Sequence, residues 1–198
     1  MNQQEFAAFL LFAVTAAVTP GPSNLLVMSA GMRVGIVGGL RCLAGVVAGM
    51  GVLMGAAGAG LGALLLVRPG LFTAVQWAGA AVLLWLSWKI ATAPPLAGDA
   101  PSEPVGFWKA FAFQWVNPKS WVVSASAAAG YAGSAEVPVA IRSAALAGTF
   151  MLAAAPSVGL WLVFGAALQR WMSDARVARV LYVLMGLCLA ASVLMLFR

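Results

Sequence analysis

Histidine is absent from this chain, and acids are scarce: five Asp and Glu stand against eleven Lys and Arg in 198 residues. Two cysteines are present, Cys42 and Cys188, in apolar surroundings and with no Cys-x-x-Cys spacing. These absences exclude the common metal sites, since imidazole, paired thiols and carboxylates supply most ligand sets. They also leave hydrolytic chemistry without candidates, because no Gly-x-Ser-x-Gly and no clustered carboxylates occur. Charge of either sign makes up only 8% of residues, where a soluble domain carries about a quarter. What remains is 63% hydrophobic, with a mean hydropathy of +0.99. Such a chain has no polar surface to show to water, so it reads as an integral membrane protein. Its net charge of +6 does not signal nucleic acid, because the basic residues stand singly between apolar runs.

Charge-free runs locate the spans. They cover 6–32, 42–67, 69–88, 143–169 and 180–197, and a sixth region, 110–135, is interrupted only by Lys119. A membrane helix needs about 20 apolar residues. Six spans are predicted, at about 5–31, 38–66, 70–92, 106–131, 138–168 and 176–197. The fold expected is therefore an all-α membrane protein, one integral domain over 1–198. Residues 93–105, with Pro94, Pro95, Gly98, Asp99 and Glu103, read as a linker between repeat 1 (about 1–92) and repeat 2 (about 106–198). Three spans per half is an odd number, so the second half enters the membrane in the opposite sense and the halves form an inverted repeat. The N-terminus lacks the basic region of a secretory signal, so the first span is expected to be permanent.

Arg33, Arg41, Lys89, Lys109, Arg170, Arg176 and Arg179 fall on one side of this topology, and Arg68, Arg142 and Arg198 on the other. The positive-inside rule places the first set in the cytoplasm and both termini outside. Trp88, Trp108 and Trp171 neighbour basic residues, as an interfacial belt does. In span two, Gly45/Gly49 and Gly51/Gly55 form small-xxx-small pairs that allow close helix packing. Pro156 predicts a kink in span five.

Two spans carry a helix breaker at their middle, half a chain apart: Thr19-Pro20-Gly21-Pro22-Ser23-Asn24 and Asn117-Pro118-Lys119. Proline removes a backbone donor and clashes with the preceding turn. Open backbone at membrane depth survives only when buried in protein or lining a polar cavity. Helices 1 and 4 are thus expected to be discontinuous, as in transporter binding sites built from paired broken helices. A restarting helix offers free N–H groups and a partial positive charge. Pro22 and Pro118 suit the first position of the restarts, with Ser23 or Asn24 as cap or ligand at the first and Lys119 and Ser120 at the second. This suits an anion or an amino-acid carboxylate. Carbonyls freed before each break are expected to accept from an ammonium, so a zwitterion matches both sets.

Lys119 is the one ionisable residue placed near mid-membrane, where charge is costly and functional. It is read as a carboxylate partner or as a carrier of protons. Glu5, Asp99, Glu103, Glu136 and Asp174 all lie at span ends or in loops. No acid is available to neutralise a cationic side chain, which favours neutral substrates. Two other classes stand beside the exporter: a six-span redox carrier or enzyme using Cys42 and Cys188, and a passive channel with the breaks as constrictions.

Thr19-Pro20-Gly21-Pro22, the glycine-rich second span, Trp77-Ala78-Gly79-Ala80 leading to Trp88-Lys89, and Asn117-Pro118-Lys119 together resemble the LysE/RhtB family of amino-acid exporters over essentially the whole chain. The segments from Trp77 and Trp88 look closest to its cysteine/O-acetylserine efflux branch. The resemblance implies export of small neutral amino acids or derivatives from a bacterial cytoplasm, across the inner membrane, against the proton gradient. It assigns site roles to Pro20, Gly21, Pro22, Asn24, Asn117, Pro118 and Lys119. Ser23 stands where the family usually has Asn or Asp, and Ser120 where many members have Ala. No cofactor is implied. The implied partners are a small zwitterionic amino acid, the proton as coupling ion and the lipid bilayer; self-association as a homodimer is left open.

Overall fold

The computed structural model describes residues 3–93, 105–131, 137–171 and 174–194, and these form helices joined by short breaks. The predicted linker 93–105 lies almost entirely outside the described residues, as do Asp99, Glu103, Glu136 and Arg198. In chain order the elements are α1 (Gln3–Val18), α2 (Pro22–Ala56), a π turn (Ala57–Leu61), α3 (Gly62–Val67), α4 (Pro69–Ala91), α5 (Phe107–Val116), α6 (Pro118–Gly130), α7 (Val139–Leu168), a 3-10 turn (Gln169–Trp171) and α8 (Ala175–Leu194).

Among the described residues four stretches are long and apolar enough to cross a membrane: Pro22–Leu61, Thr73–Ala91, Val139–Trp171 and Ala175–Leu194, with Gln3–Val18 a shorter apolar helix. The chain is a multi-pass membrane protein. The loop expected between the first two spans shrinks to one residue, because helical hydrogen bonding runs through it. Gly35 alone leaves helical geometry, at φ 68 and ψ −170, a conformation that only glycine adopts cheaply. Residues eight apart in a straight helix stand about 12 Å apart along the axis. Here a Cβ on Gly39 would lie 3.6 Å from the Gly31 nitrogen. The two arms of α2 therefore reverse at Gly35. Pro156, expected to kink its span, sits inside α7 without interrupting it.

Polarity is turned inside out relative to a soluble protein. Leu11, Val37 and Leu152 are 69%, 83% and 77% exposed, whereas Asn24, Gln114, Asn117, Ser120 and Ser124 are buried. Lipid replaces water as the outer solvent, so apolar side chains lose nothing there and polar ones seek internal partners. The predicted tryptophans do lie outside: Trp88 and Trp108 are exposed, the Lys89 Nζ stands 4.6 Å over the Trp85 ring and Arg170 stands 4.6 Å over Trp171.

The core is built where α2 packs on α7, flanked by α1 on α7 and α5 on α2; α4 packs against α8. The two small-xxx-small pairs serve different neighbours. Gly45 and Gly49 admit the α5 backbone at Phe107 and Phe111, while Gly51 and Gly55 face Met151 and Ala147 on α7. A side chain at Gly49 would meet Phe111 O at 2.7 Å, so α5 is held close to α2 by the absence of one Cβ.

Candidate functional site

Both predicted breaks exist, and they differ in length. Between α1 and α2 the helix is open from Thr19 to Gly21. Between α5 and α6 only Asn117 leaves helical geometry, at φ −85 and ψ 109. Pro22 and Pro118 occupy the first turns of the restarting helices, as expected. The residue before a proline is driven out of the α region, and Gly21 at φ −175 and Asn117 both obey this.

The two restarts are finished differently. Asn117 caps α6 itself, its Oδ1 accepting from the Lys119 backbone N–H at 3.2 Å. No side chain caps α2, so the N–H groups of its first turn keep their donor capacity. Gly21 also leaves room for lysine: a Cβ there would stand 2.9 Å from Lys119 Cδ and 3.0 Å from its Nζ.

Side chains tie the breaks together. Lys119 Nζ donates to Thr19 O at 2.7 Å, crossing from α6 to the end of α1. Asn117 Nδ2 donates to Ser23 Oγ at 2.9 Å. Ser23 Oγ donates to Gln114 Oε1 at 2.8 Å, and Ser120 Oγ donates to the same oxygen at 2.9 Å. Gln114 Nε2 closes the network by donating to Ala110 O at 3.1 Å. Seven of the nine predicted residues, Gly21, Ser23, Asn24, Asn117, Pro118, Lys119 and Ser120, meet within this region or pack directly against it. Pro20 and Pro22 shape the chain there instead: Pro20 lies in the open segment and Pro22 starts α2.

Four of the freed carbonyls accept from the protein's own donors. Val18 O accepts from Trp161 Nε1 at 3.1 Å, Ala17 O from Asn24 Nδ2 at 2.9 Å, and Thr19 O from Asn24 Nδ2 at 2.9 Å as well as from Lys119. At the second break Trp115 O accepts from Trp121 Nε1 at 2.7 Å. A bare carbonyl in an apolar bundle costs roughly 1–3 kcal/mol, so the protein's own donors reach them first. Ser23, Asn24 and Ser120, whose side chains carry acceptors of their own, border the open space beside the breaks.

That space is a cavity of about 30 Å³. Ser23, Asn24, Asn117, Lys119 and Ser120 form its polar wall, and Met50 and Val46 of α2 with Phe150, Ala154 and Val158 of α7 form an apolar one. None of the described residues that line it is a carboxylate. The volume holds a water or two and is too small for an amino acid, and Lys119 is part of its wall.

Three participants escape a reading of the sequence. Gln114 is a fully buried amide in the otherwise apolar stretch Ala110–Val116; an amide three residues before a break was the available signal. Trp161 reaches the first break across 143 positions of sequence, and nothing local announces it. Gly79, noticed only as part of a motif, seats α4 on the second break: a Cβ there would meet Val116 O at 2.6 Å and Pro118 Cδ at 2.7 Å. Cys42 and Cys188 are both free, the first buried and the second exposed, so they do not form the pair that a redox carrier would need. Among the described residues no group of His, Cys, Asp or Glu is placed to hold a metal ion.

Comparison with known proteins agrees with the geometry. Residues 14–197 match the family described as LysE type translocator. A cysteine/O-acetylserine efflux protein of Salmonella typhimurium is 39% identical over 119 residues, which is 60% of this chain and 61% of the relative. The protein of the same name from Escherichia coli is 35% identical over 119 residues, with the same coverage of each chain. The chain thus spans 61% of the length of these relatives. No solved structure matches it.

Proposed function

We propose that this chain, which belongs to the LysE type translocator family, exports small neutral amino acids or close derivatives from the bacterial cytoplasm across the inner membrane, in exchange for protons. One observation carries the proposal: Lys119 on α6 and the uncapped start of α2 converge on a cavity with no acid among the described residues that line it. An ammonium beside free helix N–H groups attracts a carboxylate. The lack of a carboxylate in the wall disfavours a second positive charge on the ligand. The name of the relatives, cysteine/O-acetylserine efflux protein, points to ligands of this size and charge.

The architecture proposed for this activity is six crossings in two inverted triplets, with crossings one and four interrupted. The reversal at Gly35 supports the count. The packing supports the symmetry: α1 lies on α7 as α5 lies on the second arm of α2, and the two pairs that would lie on the pseudo-axis, α2 with α7 and α4 with α8, are in contact. Ser87 Oγ donates to Gly186 O, linking positions 99 residues apart, about one repeat length. Both termini are placed outside by the distribution of Lys and Arg.

In the proposed cycle Lys119 leaves Thr19 O when a carboxylate arrives. The substrate thereby breaks the link between the halves that keeps the cavity closed. Proton return can use Lys119 itself, since no acid is among the described residues that line the cavity.

Inverted membrane vesicles test this directly, because they expose the cytoplasmic face. Labelled serine, cysteine, threonine, leucine and lysine are offered with and without an imposed proton gradient. Expected is gradient-dependent accumulation of one or more of the neutral compounds, with lysine excluded. Equal, non-saturating passage of all five would instead identify a channel.

A further inference from the structure

We infer that Gln114 fixes the direction of every hydroxyl hydrogen bond at the cavity, so that the site selects ligands whose amino group still carries N–H donors. This rests on the amino-acid site proposed above and adds to it a residue and a selection rule.

The starting point is an orientation that admits no alternative. Gln114 is fully buried, and its Nε2 donates to Ala110 O at 3.1 Å. A backbone carbonyl only accepts, so the nitrogen of this amide must be the atom facing Ala110. The oxygen then faces Ser23 and Ser120, and an amide oxygen also only accepts. Each serine has one hydroxyl proton, and each gives it to Gln114 Oε1, at 2.8 and 2.9 Å. Neither serine has a proton left for a ligand.

What the serines keep is lone pairs. Ser120 retains its own, and Ser23 retains one after accepting from Asn117 Nδ2. Asn24 arrives at the same state by another route. Its Nδ2 carries two hydrogens and gives them to Ala17 O and Thr19 O. Its oxygen is what remains. Three side chains of the cavity lining, from α2 and α6, therefore offer acceptors. The donors of the same cavity are Lys119 Nζ, the uncapped start of α2 and the second N–H of Asn117 Nδ2, the first being given to Ser23. A site divided in this way orients a zwitterion: carboxylate to the lysine, ammonium to the serines and Asn24. A primary ammonium offers three N–H groups to three acceptors. A trimethylated nitrogen has the same charge and offers none.

Gln114 itself does not line the cavity, so it is a positioning residue acting through two hydroxyls. A purely structural role would lower transport of all ligands alike; this role changes their ratio.

The test uses the full-length protein in proteoliposomes and whichever neutral amino acid of the vesicle panel it carries fastest. The competitors are the N,N-dimethyl and N,N,N-trimethyl forms of alanine, which differ by one methyl group and by the last N–H. For the unmodified protein the trimethyl compound should compete about tenfold more weakly than the dimethyl one, since it leaves buried acceptors unpaired. In Gln114→Met the serine protons are released, and the ratio should fall to about twofold while KM for the carried amino acid rises about tenfold. Gln114→Glu in its protonated form gives its O–H to Ala110 O, keeps an accepting oxygen toward both serines and should keep the ratio. Equal competition by the two compounds on the unmodified protein overturns the inference whether or not any variant folds. So does an unchanged ratio in Gln114→Met. Absence of amino-acid transport by the unmodified protein would instead overturn the functional proposal, and this inference with it.

Discussion

The first break is three residues long and leaves its new helix uncapped, whereas the second is one residue long and carries its own cap. Their sequences explain the contrast. Asn117 immediately precedes Pro118, so the residue forced out of helical geometry is also one whose side chain can cap the restart. At the first break the same position belongs to Gly21, which has no side chain. The second break is further buttressed by α4 through Gly79, while the first has Lys119 lying over it. Two breaks in matching positions thus divide the work. One is a finished corner that holds Lys119, Ser120 and Gln114 in place, and the other keeps the unfilled donors that a ligand can use.

If that division holds, the largest effect comes from the group that joins the two breaks. Lys119→Met keeps the length and apolar character of the side chain and removes its ammonium. Export in the vesicle assay should drop to background, a loss of at least about a hundredfold in kcat/KM, or about 2.7 kcal/mol, with the amount of inserted protein unchanged. Transport at the unmodified rate would show that the lysine only packs against Gly21.

A smaller but sharper effect is expected from making the first break resemble the second. Gly21→Asp places a capping carboxylate at the start of α2 and beside Lys119. The backbone accepts it, because φ −175 is ordinary extended geometry. The atoms its Cβ would crowd are the flexible end of Lys119. A new cap stabilises a helix by roughly 0.5–2 kcal/mol, so the protein should melt later in detergent. The same carboxylate occupies the position proposed for the substrate's, so transport should fall by about tenfold or more. Stability and activity moving in opposite directions is the outcome that identifies the first break as a ligand site. If both fall, Gly21 is needed only for packing.

How much of this could be read from the sequence follows from the range of each signal. The breaks were legible because proline acts on its immediate neighbours. The long helices were legible because a membrane span is a local run of apolar residues. The reversal at Gly35 was not, since the chain has 22 glycines and only the fold decides which one adopts φ 68. Occupancy of the freed carbonyls was not legible either. Trp161 reaches Val18 from another helix, and the Ser23–Gln114 bond spans 91 positions. The sequence reading therefore named the turns, while the donors that reach Ala17, Val18, Thr19 and Trp115 O from elsewhere in the fold lay beyond its range.

The smallest expected effect tests the other side of the comparison. Asn117→Ala removes the α6 cap and the bond to Ser23. Losing an N-cap costs about 1 kcal/mol. Pro118 still starts the helix, and Gly79 still backs it from α4. The break should persist, with a modest loss of stability in detergent. Ser23 recovers a lone pair in this variant but still gives its proton to Gln114, so the preference for N–H donors should remain. Transport should decline only a few-fold, as an effect of looser placement of Lys119 and Ser120. A loss as complete as that of Lys119→Met would show that Asn117 contacts the substrate, and the two breaks would then share ligand binding equally.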